Sequence, residues 1–118
     1  MLRRVVFPLV VLACALALST VGSAATPKLI GTFGPGFTIH VTMGGKAVKT
    51  LKAGTYTLVV RDTSSIHNFH LIGPGVNKKT TVPGTTPQTW TLKLKAGTYR
   101  YQCDVHLSFG MKGSFSVK

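Results

Sequence analysis

Beyond residue 25, glycine and proline interrupt this chain every few residues, and Thr, Val and aromatic side chains dominate between them. A helix needs a long uninterrupted run of good formers, and an interior proline costs it about 3 kcal/mol. There is little room for helix here. Short β-branched and aromatic runs at regular spacing read instead as an all-β sandwich or barrel. Phe37-Thr38-Ile39-His40-Val41-Thr42 alternates, with Phe37, Ile39 and Val41 on one face. Residues 43–46 read as a turn, 56–61 as a strand and 62–65 as a loop. The next strand is 66–72, stopped by Gly73-Pro74-Gly75. Residues 76–87 read as a long connection containing Pro83-Gly84. Strands at 88–94 and 98–103 meet at Ala96-Gly97, and 112–117 is the closing strand.

One hexapeptide occurs twice. Leu51-Lys52-Ala53-Gly54-Thr55-Tyr56 recurs letter for letter as Leu94-Lys95-Ala96-Gly97-Thr98-Tyr99. Each copy leads into a strand. The expectation is two equivalent turns whose strands run to the same end of the sandwich.

Residues 1–25 carry the marks of a secretory signal peptide: Arg3-Arg4, an apolar run over 5–18 broken only by Pro8, and the small residues Gly22-Ser23-Ala24-Ala25. The apolar run is shorter than the roughly 20 residues a membrane span needs. Residues 26–118 then form one small domain exported to the periplasm, the cell envelope or the medium. Cys14 leaves with the leader, so Cys103 is the one cysteine of the mature chain. Exported proteins normally pair their cysteines. A metal bond is the other way to occupy such a thiol.

The charge is one-sided. The chain has 14 Lys and Arg against 2 acids, and removing Arg3 and Arg4 takes its net charge from +12 to about +10. Such a surface attracts anions: acidic redox proteins, anionic membrane or cell-wall surfaces. The lysines are scattered, with no arginine-rich, aromatic-interleaved run, so a nucleic-acid module is not indicated.

The chemistry concentrates at Cys103, His106 and Met111, spaced C-x2-H-x4-M. A thiolate, an imidazole and a thioether form a soft donor set. Soft donors select copper, and two His plus one Cys with a weak axial Met make a blue-copper electron-transfer site. The missing histidine must come from Ile66-His67-Asn68-Phe69-His70. Alternation puts His67, Phe69 and Leu71 on one face and Ile66, His70 and Ile72 on the other, which does not settle the choice. The loop-to-strand junction favours His67. His40 sits on the polar face of its strand and reads as a surface histidine.

On these residues the mature chain resembles the cupredoxins, the small blue copper proteins, and most nearly the plastocyanin type. His67-Asn68, the C-x2-H-x4-M loop and the stretch Asn68-Phe69-His70-Leu71-Ile72-Gly73-Pro74-Gly75-Val76 carry the resemblance. It implies a Greek-key β-sandwich of about seven to eight strands. It makes His67, Cys103 and His106 the strong ligands of one copper ion and Met111 the long axial one. It gives Asn68 the task of tying the two ligand-bearing loops together. Leu107 stands where plastocyanins usually carry proline, and the plant acidic patch is absent. The second ligand histidine, His106, becomes the exposed end of the site, with Gly34-Pro35-Gly36 and Gly73-Pro74-Gly75 as expected neighbours.

A one-electron carrier, monomeric and working with redox partner proteins, is the leading expectation. Copper storage or delivery is the alternative, although Met43 and Met111 are the only methionines after the leader. An enzyme is not expected. Copper oxidases need further His-x-His ligands and a second domain, and neither Asp62 nor Asp104 stands in a hydrolase-like set.

Overall fold

The computed structural model describes residues 25–61, 64–82 and 85–118. Residues 1–24 of the expected signal peptide lie outside the described residues, as do Asp62, Thr63, Pro83 and Gly84 of two expected connections. In chain order the strands are β1 (Lys28–Phe33), β2 (Ile39–Met43), β3 (Lys46–Ala47), β4 (Thr50–Leu51), β5 (Gly54–Val60), β6 (His70–Gly73), β7 (Val76–Lys79), β8 (Gln88–Leu94), β9 (Gly97–Gln102) and β10 (Lys112–Val117). Among the described residues the only helical piece is a 3-10 turn, Leu107–Phe109.

Two five-stranded sheets pack face to face, in the orders β3-β2-β1-β5-β8 and β4-β10-β9-β6-β7. Each is mixed, since β1 runs parallel to β5 and β4 parallel to β10. The chain switches sheets between β3 and β4, β4 and β5, β5 and β6, β7 and β8, and β8 and β9, in the manner of a Greek-key sandwich. The all-β sandwich expected from the sequence is therefore present. Two of its strands, β3 and β4, are only two residues long.

Period-two alternation builds the core. Tyr56, Leu58 and Val60 of β5 point inward, as do Leu92 and Leu94 of β8, Tyr99 and Tyr101 of β9, and Phe115 and Val117 of β10. Each such side chain contributes about 1.5–3 kcal/mol of burial, so these strands fix the register in which the sheets meet. Aromatic rings fill the centre: Phe69 stacks on Tyr101 at 6.0 Å and Tyr99 on Phe115 at 5.3 Å.

Small residues make room for those rings. Gly113 opposes Tyr101 in the β9–β10 ladder, and a Cβ there would run into the Tyr101 ring. Gly73 lies one step beyond the Ile72–Arg100 pair of β6 and β9, and its Cβ would strike the Tyr99 ring. Tyr99 cannot swing aside easily. It is fully buried, and its hydroxyl accepts from Lys95 N–H (2.9 Å) and contacts the Lys95 and Pro74 carbonyls. Gly73→Ala should therefore cost about 1–3 kcal/mol by overpacking. For a domain of this size that is a fall of roughly 4–8 °C in Tm per kcal/mol, read by thermal unfolding. An unchanged Tm would show that Tyr99 is free to move.

The repeated hexapeptide has a structural meaning. The Tyr56 hydroxyl donates to the Lys52 carbonyl at 2.8 Å, and the Tyr99 hydroxyl donates to the Lys95 carbonyl at 3.0 Å. Each tyrosine latches back onto the turn four residues before it. One turn feeds β5 in the first sheet and the other feeds β9 in the second. Both strands then run toward the end where the candidate ligands sit.

Several expectations are revised. The segment 76–87 is not wholly a connection, because 76–79 forms β7. The strand expected over 66–72 begins only at His70. Thr80 explains why: Phe69 N–H donates to Thr80 Oγ1 and Thr80 N–H to the Phe69 carbonyl, both at 2.9 Å. This clasp holds residues 67–69 as a loop. Phe37 lies before β2 and is 46% exposed, so it is not an inward-facing strand residue.

Candidate metal centre

β9 ends at Gln102 and delivers Cys103 directly into the space between the sheets, where it is fully buried. Cys103 N–H donates to the Met111 carbonyl at 3.1 Å. That bond closes the base of the C-x2-H-x4-M loop. Inside the loop, Phe109 N–H donates to the His106 carbonyl (2.9 Å) and Gly110 N–H to Leu107 (3.0 Å), forming the 3-10 turn. Gly110 ends the turn at φ 80°, a left-handed conformation that glycine adopts without a Cβ clash. The glycine returns the chain so that Met111 N–H reaches the His106 carbonyl at 3.4 Å. Met111 is 0% exposed. Its backbone is thus bonded to both other chemistry-bearing residues of the loop.

His67 comes from the loop before β6, the strand that pairs with β9, and is 5% exposed. Its Nδ1 lies 3.8 Å from Cys103 Sγ and 3.0 Å from His106 Nδ1. His106 Nδ1 lies 3.5 Å from Cys103 Sγ. His70 is not part of this cluster: its Nδ1 faces Asp104 Oδ1 at 2.8 Å and its Nε2 faces Asn77 Oδ1 at 2.6 Å. His40 is exposed and bonds the Gly34 carbonyl, the surface role expected of it.

Those separations test the fit of an ion. A first-row ion such as zinc, bonded at about 2.0 Å to imidazole and about 2.3 Å to thiolate with angles near 110–120°, holds its donors about 3.3–3.7 Å apart. The observed separations of 3.0, 3.5 and 3.8 Å bracket that range. Among the described residues, this is the group of His, Cys and acidic side chains whose donor atoms, one per residue, all lie within 4.8 Å of one another. One sulfur and two ring nitrogens converging this closely can share one ion.

A polar frame supports the cluster. Asn68 Nδ2 donates to Asp104 Oδ2 at 2.9 Å, and Asp104 N–H donates back to Asn68 Oδ1 at 2.8 Å. The loop carrying His67 is thereby bonded to the loop carrying Cys103, as the resemblance implies for Asn68. Gln102 Nε2 also donates to Asp104, at 2.8 Å. Burial pushes the Asp104 carboxyl up. Hydrogen bonds from Gln102, Asn68 and His70, with the attraction of His70, outweigh it and bring the carboxyl to about 2. Asp104 was legible in the sequence only as one of two acids, and nothing in its spacing revealed this role.

Aromatic rings surround the histidines. Phe33 lies 5.4 Å from the His67 ring, and Phe37 lies 4.5 Å from His106 and 5.3 Å from Phe109. A cleft of about 410 Å³ beside His67 is lined by Phe33, Gly34, Gly36, Phe37, Ser64 and Ile66. The Gly34–Gly36 segment is therefore a neighbour of the site, as expected. The Gly73-Pro74-Gly75 turn is not. Tyr99 and Lys95 hold it at the opposite end, where β9 begins.

No family model and no curated protein sequence matches the chain. Solved structures do. A structure of reduced rusticyanin matches with a TM-score of 0.54 at 22% identity, covering 82% of this chain and 82% of that one. A second structure, described as the copper protein rusticyanin, matches with a TM-score of 0.56 at 21% identity, over 81% of this chain and 80% of that one. Auracyanin B matches with a TM-score of 0.54 at 17% identity, over 81% and 93%. At such identities the likeness speaks to architecture, and the chain has the cupredoxin fold.

Proposed function

We propose that this chain is an extracytoplasmic type 1 copper protein that carries single electrons. The observation that carries the reading is the convergence of Cys103 Sγ, His67 Nδ1 and His106 Nδ1 within 4.8 Å, with Met111 fully buried in the same loop as Cys103 and His106. Thiolate and thioether select copper over harder ions, and Met111 would serve as the weak axial ligand. The description of one similar structure as a copper protein supports the same metal. Bound copper would supply a one-electron cycle between Cu(I) and Cu(II). The chain's part is to hold the donors in a hydrogen-bonded frame and to keep water out, with Cys103 and Met111 both at 0% exposure.

His106 is only half-buried, so it is the ligand nearest to a partner. Beside it Phe37, Val105 and Phe109 are 46%, 56% and 67% exposed, and Ile66, in the cleft beside His67, is 55% exposed. An apolar rim lets a partner approach without desolvating charge. The net charge of about +10 after leader removal would steer acidic redox proteins toward the domain, and salt would weaken that steering. Residues 1–25 would be the export signal and 26–118 a monomeric domain. Storage would favour clusters of Met or His, and Met43, 41% exposed, lies apart in β2.

Adding Cu(II) to the mature protein tests the reading. The expected result is an intense blue charge-transfer band that saturates at about one copper per chain, as a single thiolate site requires. A pale solution, or binding without the band, would overturn it.

A further inference from the structure

Asp104 is the only acidic side chain among the described residues of a strongly basic chain, and it directly follows Cys103. Its carboxylate faces three side chains from three places in the fold. Asn68 Nδ2 (2.9 Å) comes from the loop before β6, His70 Nδ1 (2.8 Å) from β6 itself and Gln102 Nε2 (2.8 Å) from the end of β9. Asp104 N–H adds a fourth bond, to Asn68 Oδ1. His70 extends the chain of contacts to Asn77 on β7. These bonds span the end of the second sheet from β9 to β7.

Gln102 shows how strongly the arrangement centres on Asp104. Its side chain is 6% exposed, and its Oε1 is buried without a hydrogen-bond partner while its Nε2 serves the carboxylate. Buried polar atoms are usually satisfied, so an orphaned oxygen marks a conformation fixed by its other bond. An Asn at position 104 would have the same shape but only one side-chain oxygen. Its NH2 would face one of the present donors.

We propose that Asp104 is a positioning residue that fixes the spacing of the two ligand-bearing loops and, through its negative charge beside Cys103, lowers the reduction potential of the bound copper. This rests on the copper reading above. The electrostatic half follows from Coulomb's law. The oxidised ion carries one more positive charge than the reduced ion, so a nearby carboxylate stabilises it more.

Two measurements test the proposal. In the metal-free wild-type protein, the Asp104 amide should exchange its hydrogen as slowly as the amides of β9, because Asn68 Oδ1 holds it. Exchange at the rate of an open loop would overturn the positioning role, whatever the metal. In Asp104→Asn loaded with copper, the blue band should persist, while the ratio of oxidised to reduced copper at a fixed applied potential falls on the order of tenfold. Asp104→Glu, which keeps the charge, should restore most of that ratio. An unchanged ratio in Asp104→Asn would overturn the electrostatic role. A wild-type protein that gives no blue band would instead remove the copper reading, and the exchange result would stand by itself.

Discussion

Cys103→Ser is expected to abolish the blue band while leaving the sandwich folded. The band arises from the copper–thiolate bond, and a serine hydroxyl is a hard donor that stays protonated near neutral pH. Cys103 is the one sulfur placed 3.5 and 3.8 Å from the two histidine nitrogens. No neighbouring thiol can replace it, since Cys103 is the only cysteine among the described residues. The backbone has little reason to change, because Cys103 N–H would still donate to the Met111 carbonyl. The substitution exchanges one small buried side chain for another, and the new hydroxyl costs about 1–3 kcal/mol if it finds no partner. Circular dichroism should therefore show a folded protein while the visible spectrum is empty. Met111→Leu provides the contrast. It conserves volume at a cost usually below about 1.5 kcal/mol and removes only the weak axial donor. That variant should stay blue with a changed potential. A Cys103→Ser protein as blue as the wild type would remove the basis of the copper assignment.

The sequence was informative where chemistry and periodicity coincide. The spacing of Cys103, His106 and Met111 is local, and one 3-10 turn closed by Gly110 is enough to bring the three into one loop. β5, β8, β9 and β10 were readable because each alternates and buries one face. Other features depend on partners distant in sequence. β7 reads Val76-Asn77-Lys78-Lys79, with a single buried residue, and is a strand because it pairs with β6. The loop state of residues 67–69 depends on Thr80, eleven residues from Phe69. Alternation alone continues that segment as a strand. Phe37 fits the apolar face of β2, yet the chain before Ile39 turns out of the sheet and lays its ring against His106. The hexapeptide repeat was visible as text. Its cause, a tyrosine hydroxyl returning to a carbonyl four residues back, was visible only in three dimensions.

The same dependence on distant partners separates the two candidate histidines, and substitution of each should give unequal results. His67→Ala removes a nitrogen 3.8 Å from Cys103 Sγ and 3.0 Å from His106 Nδ1, so the donor set loses one of its three converging atoms. It also opens a void beside Phe33, 5.4 Å from the imidazole, through which water can reach the site. The blue band should disappear or be replaced by a pale one. His70 stands one layer further out. It reaches the cluster only through Asp104, whose other donors, Asn68 and Gln102, remain when it is removed. Losses of such supporting partners typically cost about 10–100-fold in metal affinity. His70→Ala should therefore bind copper more weakly and still turn blue when saturated. Titrating both variants with Cu(II) while recording the visible spectrum distinguishes the two. A blue His67→Ala protein beside a colourless His70→Ala protein would mean that the ligand is His70, and that the loop held by Thr80 takes another path once the metal is bound.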